Sequence, residues 1–209
     1  LFPDNKGDFI NYSGVWMSAG VYGLKTSPFI VQPKGYTVTA WTLLMSTQTG
    51  EPLLLSDSSR LTLERTAATT AVAVKYLAKE NAKHLAVIGS GAQALAHIRY
   101  VSGLRKWESI RVWSLNSHEL SEDKKEAFLQ AGNGLVEFAG TKTEALEGAD
   151  VILLCTSAAD AVISAKDIEG APLITSISTN VACAHEIDPA MLALMDVYCD
   201  CTATTATVA

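Results

Sequence analysis

The chain has 209 residues, 48% of them hydrophobic and 18% charged, enough apolar material for one large domain or two small ones with real cores, which excludes a disordered polymer. Sixteen Lys and Arg stand against 22 Asp and Glu, a formal net charge of -6. No basic field is therefore available to draw a nucleic-acid backbone or an anionic membrane surface. Apolar runs such as Val151 to Cys155 fall well short of the ~18 residues of a membrane helix.

Four cysteines, Cys155, Cys183, Cys199 and Cys201, lie in the last third of the chain without framework spacing. Reduced thiols in the core of an intracellular, cytoplasmic protein are the expectation. Cys199 and Cys201 would share one face of a strand, but no second pair or histidine doublet completes a zinc set, so no metal is expected. Neither Leu1 nor Ala209 reads as a natural terminus, and a fragment is expected.

In chain order, residues 9 to 55 read as β structure: Phe9 to Tyr12, Val15 to Met17, a break over Gly20 to Gly23, then Phe29 to Val31. A hairpin follows, with Tyr36 to Met45 as one arm, Pro52 to Leu55 as the other, and Gly50 free to take a positive φ in the turn. The period then changes. Leu61, Leu63, Ala67, Ala71, Val74 and Leu77 fit a helix running to about Glu80, capped by Ser58 or Ser59.

From His84 strands and helices alternate, with strands expected at Leu85–Ile88, Ile110–Trp113, Val136–Phe138, Val151–Cys155, Leu173–Ile177 and Val197–Cys199. Near-continuous apolar strands separated by helices demand a parallel sheet covered on both faces, so the fold class expected is α/β, Rossmann-type and doubly wound. The expected division is a β-rich domain over 1–60, a bridging helix over 61–82, the α/β domain over 83–201, and a tail over 202–209 returning toward the first domain.

Strand Leu85-Ala-Val-Ile runs directly into Gly89-Ser90-Gly91-Ala92-Gln93-Ala94 and a helix. In this G-x-G-x-x-A turn Gly89 permits the tight bend, Gly91 lets a pyrophosphate reach the backbone, and Ala94 keeps helix and strand close. N–H groups at the helix start hold the phosphates. The second strand ends in Ser114-Leu115-Asn116-Ser117-His118 with no carboxylate for the ribose hydroxyls, which favours NADP(H) over NAD(H). The arginine that often clasps a 2′-phosphate is missing, with Leu115 in its place. Glu119 leaves NAD(H) open.

The Leu61-Thr-Leu-Glu-Arg65-Thr66-Ala-Ala helix, the Gly-Ser-Gly-Ala-Gln turn after it and the His185-Glu-Ile-Asp188 segment together resemble the ornithine cyclodeaminase and mu-crystallin family. The resemblance implies a β-rich domain that also dimerises, a Rossmann domain, and an active site in the cleft between them. It implies hydride exchange between a nicotinamide and an imine carbon beside a carboxylate.

By the same resemblance Lys25 and Arg65 clamp the substrate carboxylate, Arg with paired hydrogen bonds and Lys as a compact charge. Thr66, Ser90, Ala92, Gln93, Ser114, Asn116, Thr156, Ser157 and Ser178 line the cofactor with the two glycines. Family cyclodeaminases carry an Asp where this chain has Asn180. A carboxamide cannot cycle protons as a carboxylate can. The resemblance then favours NADPH-dependent reduction of a small cyclic ketimine carboxylate, to proline or pipecolate, with Asn180 orienting the substrate.

An ornithine cyclodeaminase, an alanine-type dehydrogenase and a non-catalytic mu-crystallin-like NADPH-binding protein are the alternatives. The expected partners are a small imino or amino acid and a second copy of the chain, joined through the β-rich domain. His185 is open to a proton-donor or a bracing role. Glu186 and Asp188 are expected to cap the next helix, with Pro189 early in it. His84, His97 and His118 show no partner pattern and are expected at the surface.

Overall fold

The computed structural model describes residues 7–33, 36–177 and 185–199. They fall into two units, Leu1–Glu64 and Arg65–Ala209, each taken by itself below.

In the first unit β1 (Gly7–Trp16) and β2 (Val21–Val31) form a long antiparallel pair. The expected break moves back to Met17–Gly20, a single 3-10 turn closed by Gly20 in the left-handed region at φ +65°, while Gly23 lies inside β2. The single arm expected over Tyr36 to Met45 is two strands, β3 (Tyr36–Val38) and β4 (Trp41–Ser46). Both pair with β2. The interruption is held by Thr39 N–H donating to the Pro28 carbonyl and by the carbonyl of buried Ala40 accepting from Ser58 N–H. β5 (Pro52–Asp57) returns beside β4, and Gly50 takes φ +73° in the turn as expected.

α1 (Ser59–Leu77) begins as β5 ends. The Ser58 hydroxyl does not cap it. That hydroxyl donates to Thr42 Oγ1 at 2.6 Å, and the Asp57 carboxylate receives the Ser59 N–H instead. The helix stops at Leu77 rather than near Glu80. There the Arg105 guanidinium gathers the carbonyls of Val74, Lys75, Ala78 and Lys79, supplying partners that the last turn of a helix lacks.

The second unit runs β6 (His84–Ile88), α2 (Ala92–Val101), β7 (Ser109–Trp113), α3 (Glu122–Ala131), β8 (Val136–Phe138), α4 (Lys142–Leu146), β9 (Val151–Leu154) and β10 (Leu173–Ser176). All five strands are parallel, in the order β10-β9-β6-β7-β8. Successive side chains of a strand face opposite ways, and the core divides accordingly. Leu85, Val87, Val151 and Leu153 pack with Val74 of α1, Ile98 of α2 and Phe128 of α3. Ala86, Ile88, Ile152 and Leu154 pack on the other face with Leu146 of α4 and with Met191. The class is α/β, with a doubly wound parallel sheet and a separate antiparallel sheet.

Ser121 caps α3, and Thr141 with Glu144 forms a capping box on α4. The sixth strand expected at Val197–Cys199 is absent: those residues are non-strand, and Val197, Tyr198 and Cys199 are exposed. Three apolar letters do not make a strand without a ladder, and no strand among the described residues pairs with them. Of the expected core cysteines, Cys155 is buried, while Cys183 and Cys201 lie outside the described residues, as does the 202–209 tail. No helix among the described residues is long and apolar enough to cross a membrane.

Candidate functional site

The strand order reverses between β6 and β9, and ligands of open α/β sheets sit at such a switch point, beyond the carboxyl ends of the strands. Gly89 leaves β6 there with φ +121°, and its N–H donates to the Trp113 carbonyl at 2.8 Å. A Cβ on Gly89 would lie 2.4 Å from the Cys155 carbonyl oxygen, so only glycine lets the turn press against the end of β9. A Cβ on Gly91 would meet nothing within 4 Å. That open space borders the start of α2, whose first N–H groups have no acceptors within the helix. Ala94 is fully buried. The three positions thus do what the spacing requires, and the turn fits a pyrophosphate. Gln93 adds a buried Oε1 with no partner among the described residues.

Beneath the turn lies a histidine that sequence reasoning placed wrongly. His97 is 0% exposed, with Nδ1 2.7 Å from the Gln93 carbonyl and Nε2 2.9 Å from Thr70 Oγ1. A carbonyl can only accept, so Nδ1 carries the proton and the Thr70 hydroxyl donates to Nε2. Burial pushes the imidazole below its ordinary value, against smaller upward pulls from the Gln93 carbonyl and Glu186. His97 is therefore a neutral strut between α1 and α2. His84 is half-buried against Ser109 Oγ at 3.0 Å, and His118 is exposed as expected.

A second residue was also assigned to the wrong task. Glu186 does not cap the following turn, because Asp188 alone accepts from Ala190 N–H, with Pro189 first in the turn. Glu186 is 0% exposed. Its Oε1 accepts the Thr156 N–H at 2.7 Å and the Thr156 hydroxyl at 2.8 Å. Its Oε2 accepts the Ser176 hydroxyl and the Ile177 N–H. One carboxylate thus joins the chain just past β9 to the end of β10, and four donors replace the water it loses on burial. No sequence signal separates this acid from a capping one.

The Glu186 network redefines Thr156. Its hydroxyl proton is committed to Glu186 and its Oγ1 accepts from Ala158 N–H, so it shapes the crevice edge by holding backbone. Ser157 is exposed beside it. Burial also pushes the Cys155 thiol well above its usual range, which keeps it a protonated packing residue.

At the end of β7 the hydroxyls of Ser114 and Ser90 meet at 2.8 Å, tying the second strand to the glycine turn. Asn116 is exposed and Leu115 is 81% exposed. On the substrate side, Lys25 lies in β2 of the first unit, donating to Ser27 Oγ at 2.8 Å and standing over the Tyr12 ring. Arg65 and Thr66 lie on α1 in the second unit; Arg65 is exposed and Thr66 half-buried. Ser178 and Asn180 lie outside the described residues.

A Rossmann-type glycine turn on a parallel sheet in one unit, and a separate antiparallel sheet in the other, define a two-unit protein with a dinucleotide-binding fold. The chain belongs to the ornithine cyclodeaminase/mu-crystallin family, whose profile matches residues 21–208. It is 55% identical over 199 residues to the NAD(P)H-dependent anabolic L-arginine dehydrogenase DauB of Pseudomonas aeruginosa, covering 95% of this chain and 62% of that protein. It is 37% identical over 172 residues to a Delta(1)-pyrroline-2-carboxylate reductase of Bacillus thuringiensis, covering 79% of this chain and 51% of that one. An archaeal alanine dehydrogenase dimer with bound NAD superposes with a TM-score of 0.75 at 26% identity, over 90% of this chain and 58% of that chain. The chain therefore spans about three-fifths or less of the length of these relatives.

Proposed function

We propose that the protein is an NAD(P)H-dependent oxidoreductase that reduces an imine carbon bonded to a carboxylate, forming an L-amino acid. The structural observation that carries the reading is the glycine turn, with Gly89 packed on Cys155 and Gly91 open beside it. The nicotinamide, when bound, supplies the hydride. Gly89, Gly91 and the start of α2 hold the pyrophosphate, and Ser90 with Ser114 braces the adenosine side. Glu186 keeps the ends of β9 and β10 in place through Thr156 and Ser176. Lys25 and Arg65 anchor the carboxylate, and Asn180 orients the imine. Arg65 is exposed, so its anchoring role rests on the family resemblance.

The 55% identity to an anabolic L-arginine dehydrogenase favours a linear substrate. In that reaction a 2-oxo acid, ammonia, NADPH and a proton give the amino acid, NADP and water. The second reading is a cyclic ketimine, favoured by the pyrroline-2-carboxylate reductase match. A homodimer through the antiparallel sheet is the assembly we propose, supported by exposed Tyr12, Trp16 and Leu55 on β1 and β5.

The test follows NADPH absorbance in the full-length protein given 5-guanidino-2-oxopentanoate with ammonia, then pyrroline-2-carboxylate, then ornithine with NAD. Oxidation of NADPH by the first substrate supports the linear reading, and oxidation by the second alone supports the cyclic one. Ammonia from ornithine without net cofactor turnover makes the protein a cyclodeaminase. Tight NADPH binding with no response to any substrate makes it a binding protein. Arg65→Ala is expected to raise KM for the carboxylate substrate at least about tenfold, the scale of one lost charged contact, with cofactor Kd retained. An unchanged KM removes Arg65 from the site.

A further inference from the structure

Beyond the ends of β7 and β8 the second unit has an open cleft of about 420 Å³, lined by Trp113, Ser114, Ser117, His118, Lys125 and Gly140 among others. Ser114 ties it to the glycine turn through Ser90. No carboxylate among the described residues lines it. Two neighbouring acids are turned outward: Glu119 pairs with His118 Nε2 at 3.6 Å and Glu122 with Lys125 Nζ at 2.8 Å, their side chains 65% and 87% exposed. A third, Glu144, accepts the N–H of Gly140 at 2.9 Å as part of the cap on α4.

An acid at the end of β7 would bind the ribose hydroxyls of NAD, and an arginine there would bind the 2′-phosphate of NADP. This chain has neither. Ser114 is uncharged, and Leu115, in the usual place of the arginine, is exposed and apolar. Lys125 comes from a different element, the first turn of α3, and is the lysine that lines the cleft. Its side chain is only one-third exposed, whereas its partner Glu122 is almost fully solvated. Such an exposed pair contributes little. A phosphate carrying about two charges would therefore displace Glu122 readily.

We propose that Lys125, with His118 beside it, binds the 2′-phosphate of NADP(H) and sets the preference for NADP(H) over NAD(H). The proposal rests on the reading of the glycine turn as the dinucleotide site. It moves the charge that reads the phosphate from the strand end to the helix that follows.

The experiment is calorimetry on the full-length protein with 2′,5′-ADP, 5′-AMP, NADPH and NADH, none of which needs a substrate. Lys125→Gln is expected to weaken 2′,5′-ADP and NADPH about tenfold and to leave 5′-AMP and NADH within about twofold. Lys125→Arg keeps the charge and is expected to restore the phosphate preference. Glu122→Gln, which removes the competing acid, is expected to tighten 2′,5′-ADP while 5′-AMP is unchanged. Equal weakening of both nucleotides by Lys125→Gln, or no weakening, overturns the assignment with the dinucleotide site intact. Failure of the unaltered protein to bind any of the four overturns the reading of the turn as well.

Discussion

Glu186 takes both the N–H and the hydroxyl of Thr156 on a single oxygen, Oε1, at 2.7 and 2.8 Å. Its other oxygen holds Ser176 and Ile177. All four of these partners donate, so this part of the site suits a group that accepts on both oxygens. The crevice edge is thus set by a buried charge from a later segment of the chain, as well as by the strands themselves.

Glu186→Gln keeps the shape and replaces one acceptor by a donor. Either Ile177 N–H or Thr156 N–H then faces an NH2 group, and an unsatisfied buried donor costs about 1–3 kcal/mol beyond the lost charged hydrogen bonds. The expected loss is about 2–4 kcal/mol, read as a lower urea midpoint. A midpoint equal to that of the unaltered protein would show that the carboxylate is dispensable.

The two glycines of the turn should respond differently to the same change. Gly89→Ala drives a Cβ into the Cys155 carbonyl and imposes a side chain at φ +121°, so it should cost more than about 3 kcal/mol and abolish dinucleotide binding. Gly91→Ala meets open space and should cost less than about 1 kcal/mol. Its effect should appear in cofactor affinity, because the methyl group occupies the space left for the pyrophosphate. Comparable stability losses in thermal melts would contradict this division.

His97 predicts a pH dependence with a definite sign. Burial holds its folded value below the ordinary 6.5, so between the two values the unfolded chain binds the proton and the folded chain does not. Stability therefore rises with pH through that window and levels off above about 6.5. Urea midpoints followed downward from neutral pH should fall, and His97→Gln should flatten that part of the slope. The same slope in the variant would mean that His97 is not the titrating group.

The alternation of apolar strands with helices, the Gly50 turn and the glycine motif after β6 were all legible in the sequence. Each is a local matter: period, turn chemistry and φ preference act within a few residues of chain. The fates of His97, Glu186 and Lys125 were not legible. His97 is buried because Thr70, 27 positions earlier, supplies a hydroxyl, and Glu186 is buried because Thr156, 30 positions earlier, supplies two donors.

The linear order of residues by itself determined the doubly wound class, the glycine turn and the family to which the chain belongs, because these follow from short-range spacing. Only the tertiary structure decided which polar side chains go inside and which cation lines the cleft past β7. A buried histidine or carboxylate is stable only when distant segments bring it the right donors and acceptors. Sequence separation carries no record of that meeting.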